Sequence, residues 1–124
     1  MRIVFNLVCQ ADEKYYDLLR QQSNKENRII LKKLEFFMEK TKQNCLFGEL
    51  IKKKNLEKNR QLLNNFFQRY HREDLLDIDN CFCCDLTRTE WRMLYTIAKD
   101  EEKDTLYLLC FMIVDHKTYE KYFT

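Results

Sequence analysis

The segment Thr105-Leu-Tyr-Leu-Leu-Cys-Phe-Met-Ile-Val114 carries no charge and is apolar at odd and even positions alike. Successive side chains of a strand point to opposite faces, so a run apolar on both faces predicts a strand at the centre of a sheet. Its apolar core, Leu106 to Val114, is about half of the roughly 18–20 residues that span a bilayer. The segment is therefore expected to lie in a protein core, with no membrane as partner.

Other elements follow from periodicity. Residues 2–9 alternate weakly and are rich in Ile, Val and Phe, which predicts a strand. Asn6 breaks the apolar run and Asp12 and Glu13 follow it, so the segment reads as part of the mature protein and not as a signal peptide. Ala11, Tyr15, Leu18, Leu19 and Gln22 recur at helical spacing. Asn24 is a candidate N-cap for a second helix with Ile30, Leu31, Leu34, Phe37 and Met38, and Leu46 beyond, on its buried side. Gly48, the only glycine, marks the end of this helical hairpin. Residues 56–70 predict one helix with Leu62, Leu63, Phe66, Phe67 and Tyr70 on one face, and 71–80 a polar, acidic loop. Cys81 to Thr87 predicts a short strand. Trp91 to Ile97 alternates so that Trp91, Met93, Tyr95 and Ile97 share one face while Arg92, Leu94 and Thr96 share the other. Lys99 to Asp104 reads as a charged turn, and Asp115 caps a last helix from His116 to Phe123. The expected fold is α+β, one domain over 1–124: an N-terminal strand, a helical hairpin, an antiparallel β-meander and a short C-terminal helix, with helices on one face of one sheet.

The net charge of +2 conceals an uneven distribution. Residues 40–72 hold nine basic side chains against Glu49 and Glu57, a local charge of +7, and the rest of the chain sums to −5. Basic residues interleaved with aromatics suit a nucleic-acid backbone, and Lys53, Lys58, Arg60, Arg69 and Arg72, with Lys117 near the C-terminus, are the candidate RNA-binding residues. The alternative is a solvated helix face.

Three constellations could carry chemistry. Arg92 sits mid-strand, where a permanent charge is costly unless it faces a cleft or an anion. Asp115-His116-Lys117-Thr118-Tyr119 follows the apolar strand, and a strand end leading into a helix gives a reactive side chain rigid support. Cys81-Phe82-Cys83-Cys84 lacks the spacing and second pair of a zinc knuckle, so core packing is expected and no metal. The six cysteines lie mostly in apolar runs, which favours a reduced, cytoplasmic protein over a disulfide framework. One glycine cannot build a glycine-rich phosphate loop.

The element order, the string Gly48-Glu49-Leu50-Ile51-Lys52-Lys53, the strand Trp91 to Ile97 and the ending Ile113-Val114-Asp115-His116-Lys117-Thr118-Tyr119 together resemble the RelE/ParE superfamily, the toxin halves of type II toxin–antitoxin pairs. The resemblance implies a ribonuclease that cuts messenger RNA at the ribosome without a metal or other cofactor. It further implies neutralisation by a cognate antitoxin protein, and assembly as a homodimer or as a heterotetramer with that antitoxin. On this reading Arg92 clamps the scissile phosphate, Lys52 and Lys54 supply charge or the base, Glu49 is an alternative base, and His116 and Tyr119 act as acid and base or as a stacking platform. The chain departs from the family pattern in a helical and loop insertion at about 55–80 and in Thr89-Glu90-Trp91 before the arginine. Two other readings share the residues: a ParE-like toxin that inhibits gyrase without nuclease activity, and a degenerate family member that only binds RNA.

Overall fold

β5 (Thr105–Asp115) lies between β1 (Arg2–Leu7), which pairs with it in parallel, and β4 (Trp91–Asp100), which pairs antiparallel, in a computed structural model that describes residues 1–124. The mixed sheet continues through β3 (Cys81–Asp85) to β2 (Glu49–Leu50), in the order β1-β5-β4-β3-β2. β3, β4 and β5 form the expected meander. The fold is α+β with an N-terminal strand and a C-terminal helix, and no helix is long and apolar enough to cross a membrane.

Each face of the sheet is covered. On the first, α1 (Cys9–Arg20) and α2 (Lys25–Gln43) place Ala11, Leu18, Ile30, Leu34 and Phe37 against Cys84, Met93, Tyr95, Leu108, Cys110 and Ile113. Each large side chain buried there contributes about 1.5–3 kcal/mol. α2 starts where Asn24 accepts a hydrogen bond from the N–H of Asn27 at 3.2 Å, the cap the sequence leads one to expect. On the second face, α3 (Lys53–Lys58), α4 (Arg60–Arg69), a single 3-10 turn at Glu73–Leu75 and α5 (His116–Phe123) bring Leu56, Leu63, Phe67, Leu75 and Phe123 against Cys83, Leu94, Leu109, Phe111 and Met112.

The expectation of helices on one face is therefore corrected. The insertion at 55–80 is not an appendage, because its apolar residues supply the second layer that an all-apolar β5 requires. The single helix expected over 56–70 is divided at Asn59, whose side-chain amide donates to the carbonyls of Asn55 at 3.1 Å and Tyr122 at 2.7 Å. That second bond ties the insertion to the C-terminal helix. Leu46 falls beyond α2 and is 62% exposed, so it is not part of the buried side.

β5 also contains a bulge. Tyr95 faces Cys110 and Leu94 faces Met112, so Phe111 is the extra residue. Phe111 and Met112 consequently both enter the second core, and Ile113 returns to the first. Arg92 stays on the second face with Leu94, at the end of the sheet where α5 begins.

Candidate functional site

Strand register places Arg92 between Asp85 of β3 and Val114 of β5. Its side chain is 20% exposed, enough for the guanidinium to reach the rim of the sheet. β5 ends there, and Asp115 turns the chain into α5 by accepting a hydrogen bond from the N–H of Thr118 at 2.9 Å. The N–H of His116 donates to the carbonyl of Glu90 at 2.6 Å, which fastens the first residue of α5 to the turn before β4. These two bonds aim the histidine and the next helical turn at Arg92.

The result is a compact cluster. A terminal nitrogen of Arg92 lies 2.7 Å from Nδ1 of His116, and the guanidinium carbon lies 4.6 Å from the centroid of the Tyr119 ring. Asp85 is a looser neighbour, 3.9 Å from the guanidinium. On the far side of the imidazole, Nε2 of His116 is 3.0 Å from Oε1 of Glu120. Arginine carries five N–H donors, so contacts to His116 and Asp85 leave capacity for a phosphate. Arg92, His116, Lys117, Asp85, Glu90 and Asp115 line a cleft of about 540 Å³ that has no hydrophobic wall.

Tyr119 separates this cleft from a second one of about 330 Å³, lined in part by Glu49, Lys52, Lys54 and Tyr119 itself. Glu49 reaches this position because β2 pairs it with Cys83. Burial, with Cys83 and its hydrogen bond beside it, pushes the Tyr119 hydroxyl well above the ordinary tyrosine value, against the lowering effect of Arg92. This favours the protonated form of the hydroxyl. Burial likewise pushes the Cys83 thiol up to about 11, although Arg92 and Tyr119 oppose the shift.

The residues singled out from sequence thus fall into separate groups. Arg92, His116 and Lys117 share the polar cleft, and Glu49, Lys52 and Lys54 share the neighbouring one with Tyr119. The remaining basic residues line neither cleft. Lys53 pairs with Asp79 at 3.0 Å, Arg60 with Glu57 at 2.9 Å and Arg72 with Asp74 at 3.1 Å. The acidic loop after α4 thereby neutralises part of the basic middle of the chain. Arg69 lies over the rings of Phe66 and Tyr70, at 5.5 and 5.1 Å, beside a largely apolar cavity between α4 and α5. Lys58 is exposed on α3. Cys81 and Cys83 face the second core while Cys84 faces the first, so the three thiols do not converge.

Sequence reasoning missed Asp85, Cys83 and Glu120. Glu120 was open to discovery from its i,i+4 spacing to His116 on a helix. Asp85 and Cys83 reach the site only through strand register, for which the sequence carried no signal. No protein-family model, no curated protein and no solved structure matches the chain.

Proposed function

We propose that this chain is a RelE/ParE-type toxin whose Arg92–His116–Tyr119 cluster cleaves messenger RNA at the ribosome, and that a cognate antitoxin holds it in check. The observation that carries the proposal is the 2.7 Å contact between Arg92 and Nδ1 of His116. It brings a permanent phosphate-binding cation and a proton acceptor together in an open polar cleft.

RNA supplies its own nucleophile. In the proposed reaction the ribose 2′-hydroxyl gives its proton to Nδ1 of His116 and attacks the adjacent phosphorus. Arg92 turns from the histidine to the phosphate and stabilises the extra negative charge of the pentacovalent intermediate. The bond from phosphorus to the 5′-oxygen then breaks, and that oxygen takes a proton from the ammonium of Lys52 or Lys54. The products are a 2′,3′-cyclic phosphate and a 5′-hydroxyl. Neither lysine has a carboxylate within 4.0 Å, so both charges are available to RNA. Tyr119 supports the guanidinium from below and presents a protonated hydroxyl.

The test is incubation of the purified protein with messenger RNA, alone and on translating ribosomes. Cleavage that disappears in Arg92→Ala supports the reading. Blocked replication with intact translation would instead select a gyrase-directed toxin, and salt-sensitive RNA binding without cleavage a binding module.

A further inference from the structure

We propose that Glu120 is a positioning residue for His116, fixing which imidazole nitrogen is free to accept a proton; its catalytic part rests on the ribonuclease reading. The argument begins with the donor inventory. Arginine can only donate, so the 2.7 Å contact with Arg92 requires a lone pair on Nδ1 of His116. The ring proton of the neutral imidazole then sits on Nε2. That nitrogen is 3.0 Å from Oε1 of Glu120, an acceptor placed one helical turn along α5.

Both contacts enforce the same tautomer, but they differ once substrate arrives. A phosphate draws Arg92 away, and only Glu120 then holds the ring with Nδ1 toward the cleft. The carboxylate also stabilises the imidazolium that forms when Nδ1 takes the 2′-hydroxyl proton. Besides Arg92, the other charged side chains around the cleft are Asp85, Glu90, Asp115 and Lys117, and none of the three carboxylates is within 4.0 Å of an imidazole nitrogen. Glu120 is half exposed, so its effect on folding is small and its role is orientation.

Two readouts test this, one independent of RNA. Nitrogen-15 NMR of the neutral His116 ring, recorded at alkaline pH, is expected to show an unprotonated Nδ1 and a protonated Nε2 in the wild-type chain. Removal of the guanidinium in Arg92→Ala is expected to preserve that pattern, and the double variant Arg92→Ala/Glu120→Ala to bring the two nitrogen signals closer together. A protonated Nδ1 in the wild type, or a double variant identical to Arg92→Ala, overturns the proposal whatever RNA does. In cleavage assays, Glu120→Ala is expected to lower kcat about tenfold with KM unchanged, part of the ~10²–10⁴ of general-base catalysis. Glu120→Gln, which keeps an acceptor oxygen, is expected to restore most of it. An unchanged kcat in Glu120→Ala overturns the catalytic role. Ring signals as expected with no cleavage by the wild type overturn it together with the nuclease reading.

Discussion

Arg92 and His116 are 24 residues apart in the chain and 2.7 Å apart at the cleft. The contact depends on antiparallel pairing of β4 with β5, on the Asp115 cap, and on the bond from the His116 N–H to Glu90. Replacing Arg92 by Ala is expected to lower RNA cleavage by about 10²–10³, the cost of losing one preorganised donor to a developing charge. Lysine at this position is expected not to rescue it, because an ammonium lacks both the fork and the flat face that rests on Tyr119. Single-turnover cleavage, with a thermal melt to show that both variants fold, checks this.

The two free lysines of the neighbouring cleft should reveal themselves through salt. Lys52→Ala/Lys54→Ala is expected to weaken binding of single-stranded RNA and to reduce the slope of log K against log salt by about 1.4, that is about 0.7 for each lost phosphate contact. Lys53→Ala is expected to change the slope less, since Lys53 is already paired with Asp79 at 3.0 Å. Titrations at several salt concentrations decide it.

Asp115→Ala is expected to lower stability by about 1 kcal/mol, the ordinary value of an N-cap, and to loosen His116 with it. Hydrogen bonds from Thr118 hold the Asp115 carboxyl below its ordinary value of 3.8. Because the folded value is depressed, the stabilisation is present in full above the ordinary value and is lost as pH falls through the depressed one. Asp74, held down by Arg72, acts in the same direction. Melting temperatures measured downward from pH 6 are expected to fall less steeply in Asp115→Ala than in the wild type.

Much of this organisation was legible in the residues. The caps Asn24 and Asp115, the alternation of β4 and the central place of β5 all follow from local pattern, since each depends on residues close in sequence. The two-layer cover differs from the expected single helical face, although an apolar Leu109, Phe111 and Met112 demand a second layer. Leu63 and Phe67 lie on the apolar face expected for the helix over 56–70, but local periodicity does not say which side of the sheet that face covers. The bulge at Phe111 left no trace, because both neighbouring faces are apolar there. Within the site, Arg92, His116 and Tyr119 were found from type and position, whereas Asp85 and Cys83 required the register between strands.

Gly48→Ala is expected to cost about 1–3 kcal/mol, as an overpacked core site does. A Cβ at Gly48 would lie 2.8 Å from Tyr95 Cε1 and Oη. Tyr95 cannot yield easily, being fully buried and stacked on Phe82 with centroids 5.3 Å apart. Its hydroxyl also accepts from the Gly48 N–H and donates to the Cys45 carbonyl, both at 2.9 Å. Chemical denaturation measures the loss.

Thiol labelling should separate Cys45 from the others. Burial pushes Cys81 and Cys84 up to about 12 and Cys83 up to about 11, and it also raises Cys9 and Cys110. Cys45 is the one cysteine that is not buried. Native alkylation followed by mass spectrometry is expected to modify Cys45 alone, with the other five reacting only in denaturant.

The most direct test of the central claim is end-group analysis of messenger RNA incubated with the protein and translating ribosomes. The expected result is fragments bearing 2′,3′-cyclic phosphate and 5′-hydroxyl ends, produced by the wild type and absent with Arg92→Ala/His116→Ala. Intact RNA under these conditions, or fragments unaffected by the double substitution, would contradict the account.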